Sequence, residues 1–168
     1  KDIQWLKENI VGEVRRNLVL TLEKLSFHSS TFHKAAMLLA KLALAENEDF
    51  SNNATGQFLQ LFHVVLGGTE VDLVARLSLL NEMAGDEQLS NLTIRAINSA
   101  FTARGFVRMG GAEKFGEKKL KDFTPTNKQV WDYWFGCRDI LLSFIAKHQY
   151  VDEIKDVVVK HGPQWIVD

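Results

Sequence analysis

Hydrophobic positions recur every three or four residues along most of the chain, and from about residue 2 to 103 they mark one amphipathic helix after another. A first helical phrase, Asp2-Ile3-Gln4-Trp5-Leu6, runs to Gly12. Val14, Leu18, Leu22 and Leu25 then form a stripe with Arg15, Arg16, Glu23 and Lys24 on the other side, which predicts a half-buried helix with the four apolar residues inward. Ser29 or Ser30 is placed to cap the next helix, in which ten of the eleven residues from 35 to 45 are apolar. That density predicts a central helix buried on most sides, with Met37, Leu38, Leu39 and Leu42 filling the space between alanine-lined backbones.

Residues 47–53 are polar, and Phe58, Leu61, Phe62, Val65 and Leu66 then predict a helix that Gly67-Gly68 stops. Thr69 with Asp72 three residues on has the form of a capping box, opening a helix through Leu73, Leu77, Leu80 and Met83 that Gly85-Asp86 closes. Leu92, Ile94, Ile97 and Phe101 carry a further helix from about Ser90 to Gly105. There the period fails. Residues 106–126, with Gly110, Gly111, Gly116 and Pro125, read as one long loop with a short turn of helix around 118–121. Thr126 and Gln129 supply a capping box for a long helix through Val130, Trp131, Trp134, Ile140, Leu141 and Phe144 to about His148. A last helix from Val151 to about Lys160 stops at Gly162-Pro163.

Strong helices following one another about every 20 residues make pairs of about 40, the repeat length of HEAT and armadillo units. The expected fold is all-α: an irregular array of antiparallel helix pairs, HEAT- or TPR-like in architecture, forming a single domain over residues 1–168 with one long loop near 106–126. No tetratricopeptide or ankyrin consensus is present.

Composition narrows the class. At 168 residues and 46% apolar content the chain can bury one sizeable core. Twenty basic residues against 21 acidic ones give a formal charge of −1, so no global field draws it to nucleic acid or to an anionic membrane. Cys137 is the single cysteine, which excludes an intramolecular disulfide and fits a reducing compartment. The densest apolar run is broken by Lys41 and falls short of the roughly 18 residues of a membrane span. A cytoplasmic location without membrane contact is the expectation. Because the chain opens at Lys1 inside a helical phrase and lacks a signal-peptide pattern, it reads as a fragment of something larger.

Candidate chemistry is sparse. His28 and His33 are five apart and straddle a helix start, and no histidine has a partner at metal-ligand spacing, so no metal is expected. Cys137, in the aromatic stretch after Trp131, reads as a small packed hydrophobe rather than a nucleophile. Gly67-Gly68 and Gly110-Gly111 lack the phrasing of phosphate-binding loops. Neither catalysis nor a cofactor is expected. Between residues 104 and 128, however, seven basic residues face three acidic ones, a local charge of +4. Arg104, Arg108, Lys118, Lys119 and Lys121 are therefore the candidate binding residues, able to hold nucleic-acid phosphates while Phe115 and Phe123 stack on bases. The ordinary reading of the same segment is a solvated loop that Trp131 and Trp134 anchor to the core.

Three stretches carry a resemblance. Gly111-Ala112-Glu113-Lys114-Phe115-Gly116, Leu120-Lys121-Asp122-Phe123-Thr124-Pro125-Thr126 and Val130-Trp131-Asp132-Tyr133-Trp134 together form the most specific one. Upstream stand Phe32-His33-Lys34-Ala35-Ala36 with Leu39-Ala40-Lys41-Leu42-Ala43, and Leu61-Phe62 followed by Gly68-Thr69-Glu70 and Arg76-Leu77. This wording resembles the helical C-terminal regions of large bacterial STAND-type ATPases, over about residues 25–145. The resemblance implies a non-enzymatic helical domain that binds protein, acting as sensor or regulator beside an effector and a P-loop ATPase, in a group several of whose members act in phage defence. The competing expectation is a helical domain that binds the nucleic-acid backbone. No Walker A lysine motif occurs in the chain, so ATP hydrolysis is not carried over to it. Phe123 stands where the family phrase often has tryptophan, and Lys114-Phe115 departs from the usual residues before Gly116.

Overall fold

A computed structural model describes residues 2–102, 114–115 and 118–164. Among them lie α1 (Ile3–Asn9), α2 (Gly12–Leu25), α3 (Ser29–Leu44), α4 (Ala54–Gln60), α5 (Leu73–Ala84), α6 (Ser90–Ala100), α7 (Asn127–Ala146) and α8 (Val151–His161), with 3₁₀ turns at Glu87–Leu89 and Gly162–Gln164. The fold is all-α. A two-residue antiparallel pairing, β1 (Lys114–Phe115) with β2 (Lys118–Lys119), takes the place of the expected helical turn near 118–121. Of the expected loop, residues 106–113 and 116–117 lie outside the described ones, as do residues 103–105 before it, and 120–126 carry no regular structure.

The helices pack in succession: α1 and α2 on α3, α3 on α4, α4 on α6, α6 on α5, α5 on α7, and α8 against both α6 and α7. This is the packing of a helical-repeat-like array. One apolar core runs through it, from Val19 and Leu39 through Phe58, Leu80 and Ile97 to Cys137, Phe144 and Ile154.

α7 begins with the expected capping box: the Thr126 side chain meets the backbone of Gln129, and the Gln129 side chain meets the backbone of Thr126. Other ends are fixed differently from expectation. α3 starts after His28 with no side-chain cap of its own, and Glu70 instead accepts from the Ser29 N–H at 3.1 Å and the Ser29 hydroxyl at 3.3 Å. Asp72 caps α5 by accepting from the Ala75 N–H at 2.8 Å, while Thr69 turns inward and donates its hydroxyl to the Phe27 carbonyl. α4 stops at Gln60, six residues before Leu66.

Two helices bury faces that periodicity did not single out. In α2 the buried residues are Arg15, Val19 and Leu22, whereas Val14, Leu18 and Leu25 are exposed. The Arg15 head can go inward because Glu46 and the Leu42 carbonyl wait for it there. In α3, Leu38 is half exposed, so the helix is buried on one broad face rather than all round. Leu38 joins Leu6, Ile10, Leu18, Leu22 and Leu42 in a groove of about 320 Å³ between α1, α2 and α3.

Candidate functional site

Leu61, His63, Val71, Phe123 and Tyr133 come together around Arg76. This residue lies in the first turn of α5, directed inward by the same face that buries Leu73, Leu80 and Met83, and is fully buried. Its Nε donates to the Val71 carbonyl at 2.9 Å, and its Nη1 donates to the carbonyls of Leu61 at 3.2 Å and His63 at 2.8 Å. Leu61 and His63 follow the last residue of α4, where a helix leaves its carbonyls without intrahelical partners. The guanidinium fork thus caps α4 and stops it short of the glycines.

Close packing here dictates local sequence. A Cβ on Gly67 would lie 2.6 Å from Arg76 Nη1 and 3.2 Å from the His63 carbonyl oxygen, so the position is restricted to glycine by space. Gly68 has φ 74°, the left-handed conformation glycine accepts without cost, and Leu66 beside it is held at φ 53°.

Residues 120–126 cross this turn as a strap. The Asp122 carboxylate accepts from the Gly68 N–H at 3.0 Å, and the Phe123 N–H donates to the Thr69 carbonyl at 2.9 Å. The Phe123 ring is half buried, its centroid 6.0 Å from Arg76 Cζ, within cation–π range. Thr69 and Glu70 fasten the turn from the other side, through the Thr69 hydroxyl and the Glu70 N–H, both donated to the Phe27 carbonyl. Tyr133 of α7 donates its hydroxyl to the Phe62 carbonyl at 3.2 Å. Loop end, α5, α7 and the α2–α3 junction therefore share one small region.

No family model, curated protein or solved structure matches this chain.

Of the candidate binding residues, Lys121 is exposed on the strap next to Asp122. Lys118 and Lys119 are described only as the backbone of β2, and Arg104 and Arg108 lie outside the described residues. The described end of the loop docks on Gly68, Thr69 and Arg76. Trp134 has a different task, donating its indole N–H to the Ala100 carbonyl at 2.9 Å and so fastening α7 to the end of α6. Trp131 lies edge-on to Trp134 and tilted against Phe135.

Electrostatics follow from burial. His63 is held down to about 4 by burial and by the Arg76 charge beside it, so its ring is neutral at pH 7. Burial pushes the Cys137 thiol up, which keeps it protonated and weakens it as a nucleophile. Tyr133, beside it, is likewise pushed well above the usual phenol value by burial. His28 and His33 each sit beside a different glutamate, Glu70 and Glu82, and no group of three or more potential metal ligands forms among the described residues. The junction is equipped to hold and couple chain segments.

Arg76 and Gly67 carry this site and were missed by periodicity. One signal was available: Arg76 falls at an inward position of the stripe Leu73, Leu80 and Met83, and a cation in an apolar stripe implies a waiting set of acceptors.

Proposed function

We propose that this chain is a non-enzymatic helical-repeat domain for protein binding, the sensor or regulatory part of a larger STAND-like ATPase acting in phage defence in the bacterial cytoplasm. The observation that carries the binding role is the outward stripe of α7. Trp131, Phe135, Arg138, Leu142 and Ile145 follow one another at spacings of four, three, four and three, with Phe135, Leu142 and Ile145 all more than a third exposed. That alternation is the seam along which one helix packs against another, and aromatic and arginine side chains are the types that anchor protein interfaces. The Arg138 guanidinium lies 5.0 Å from the Phe135 ring centroid and is paired with Asp139, so the seam offers an apolar track with its charge already balanced. The partner that fits it is an amphipathic helix, from another protein or from another part of the parent chain.

The reading of the gene decides the larger claim: a Walker A motif upstream in the same reading frame supports it, and a free-standing gene of this length overturns it. The seam is tested in cells carrying the intact gene. Phe135→Glu with Leu142→Glu is expected to abolish protection against phage at unchanged protein level, and undiminished protection would remove the seam from the function. Oligonucleotide binding that weakens steeply with salt would favour the nucleic-acid reading instead.

A further inference from the structure

We propose that the groove between α1, α2 and α3 is a binding site for a free aliphatic carboxylate, with its chain among the leucines and its head on Lys41. The groove arises from packing. α1 and α2 both rest on α3 and have little packing between themselves, so α3 forms a floor and the other two helices form the walls. Five leucines and Ile10 line it, and the one other lining residue is Lys41. Size limits what can lie inside. The space of about 320 Å³ stands at the lower end of the range for small-molecule clefts, roughly 300–1,000 Å³. One turn of helix, a cylinder about 10–12 Å across with a pitch of about 5.4 Å, fills roughly 400–600 Å³. The groove is too small to enclose a helix and suits a single hydrocarbon chain.

Charge selects the head group. No acidic residue lines the groove, and the Lys41 ammonium makes no hydrogen bond or ion pair among the described residues. Asp2 and Asp86 share a neighbouring depression with Lys41, but there they cap α1 and the Glu87–Leu89 turn, accepting from the N–H groups of Gln4 and Gln88 at 3.4 and 2.9 Å. A single ammonium balances a singly charged carboxylate, whereas it would leave part of a phosphate's charge, about −1.5 to −2, uncompensated. No residue of α7 lines the groove, so this proposal and the α7 seam stand or fall separately.

Calorimetric titration of the whole chain, with ligands kept below their micellar concentrations, tests the site. Decanoate is expected to bind one to one, and more tightly than hexanoate by about threefold to fourfold for each added methylene. Decanol and decylammonium should bind at least about tenfold more weakly, and Lys41→Gln should bring decanoate down to the level of decanol. Leu38→Gln should weaken decanoate and decanol together. Both substitutions lie at exposed positions, so the fold is expected to survive them. On addition of decanoate the methyl resonances of Leu38 and Ile10 should shift, while those of Leu80 and Ile97 in the core stay in place. The proposal fails if decanoate does not bind, if decanol binds as well, if Lys41→Gln leaves the preference for decanoate intact, or if the shifts centre outside the groove. A concentration-dependent dimer that Leu38→Gln breaks and decanoate leaves untouched would equally overturn it, by giving the groove to a second copy of the chain.

Discussion

Arg15 and Arg76 are both fully buried, yet their charges are held by different means. Arg15 donates Nη2 to Glu46 at 2.8 Å and to the Leu42 carbonyl at 2.7 Å, and its Nε lies 3.5 Å from Glu48. Glu46 in turn accepts from the backbone N–H and the hydroxyl of Thr55, both at 2.9 Å, so one carboxylate ties α2 to the start of α4. Arg76 instead gives its three hydrogen bonds among the described residues to carbonyl oxygens. Burial lowers its pKa, while Tyr133, Asp122 and Asp72 oppose that from around it. An ion pair closes on itself and serves as a rivet. A cation solvated by backbone leaves its field to act on neighbours, and there a ring, a strap and a histidine have gathered.

The largest difference is expected from removing each head group. Arg76→Met strands the carbonyls of Leu61, His63 and Val71 in the interior, and at roughly 1–3 kcal/mol for each unmade bond, partly offset by relaxation, urea unfolding should show a loss of about 4 kcal/mol. Arg76→Lys should recover little of it, because one ammonium cannot span acceptors set for a planar fork. A loss of Arg76→Met below that of Arg15→Met would reverse the ranking and undo the distinction.

Acid provides the next test, and it applies to one site only. The folded-state pKa of His63 lies near 4 against 6.5 when free, so the unfolded chain takes up the proton first. Stability is then fully present above pH 6.5 and is lost as pH falls towards 4, by up to about 3 kcal/mol. His63→Gln should flatten the urea midpoint over that window. An equal slope in the variant would mean that the acid response belongs elsewhere.

Arg15→Met should cost somewhat less, about 3 kcal/mol: the Leu42 carbonyl loses its partner, and Glu46 and Glu48 lose the cation that balances them. Glu46 keeps its bonds to Thr55, and the side chains of Glu46 and Glu48 remain 21% and 14% exposed, so water can take over part of their solvation.

The two arginines also mark how far the sequence could be read. The all-α class, the capping box at Thr126 and the helix from Val151 were legible, because hydrophobic period and cap chemistry act locally. The buried face of α2 was not. Leu18, Val19 and Leu20 stand in a row, so the helix carries two apolar stripes, and only the carboxylate of Glu46, 31 residues away, selects the one that contains Arg15. The end of α4 was misread for the same reason: Leu61, Phe62, Val65 and Leu66 continue the period, but Arg76, from the next helix, takes the carbonyls. At the junction, Gly68-Thr69-Glu70 and Asp122-Phe123 were visible as distinctive wording, while the contact between them was a property of the fold alone. Local rules found the elements, and long-range polar partners decided their faces and ends.

The smallest effects separate the sites most cleanly, through two glycines. Gly12 opens α2 at φ 55° with nothing within 4 Å of the place a Cβ would take, so Gly12→Ala should cost about 1 kcal/mol from backbone strain alone. Gly67 is not among the residues with positive φ, and an alanine there meets Arg76 Nη1 instead. Its cost, about 1–2 kcal/mol, is a packing cost and must depend on the head group it touches. A double-mutant cycle in urea separates the two origins. In an Arg76→Met background the Gly67→Ala penalty should shrink to what the 3.2 Å approach to the His63 carbonyl oxygen leaves, since the tightest contact is gone. In an Arg15→Met background the Gly12→Ala penalty should stay whole, because backbone strain at Gly12 does not involve the Arg15 side chain. Additive behaviour at Gly67 would mean that Arg76 can yield to the added methyl, and the guanidinium would then be a looser fixture than its three carbonyl bonds imply.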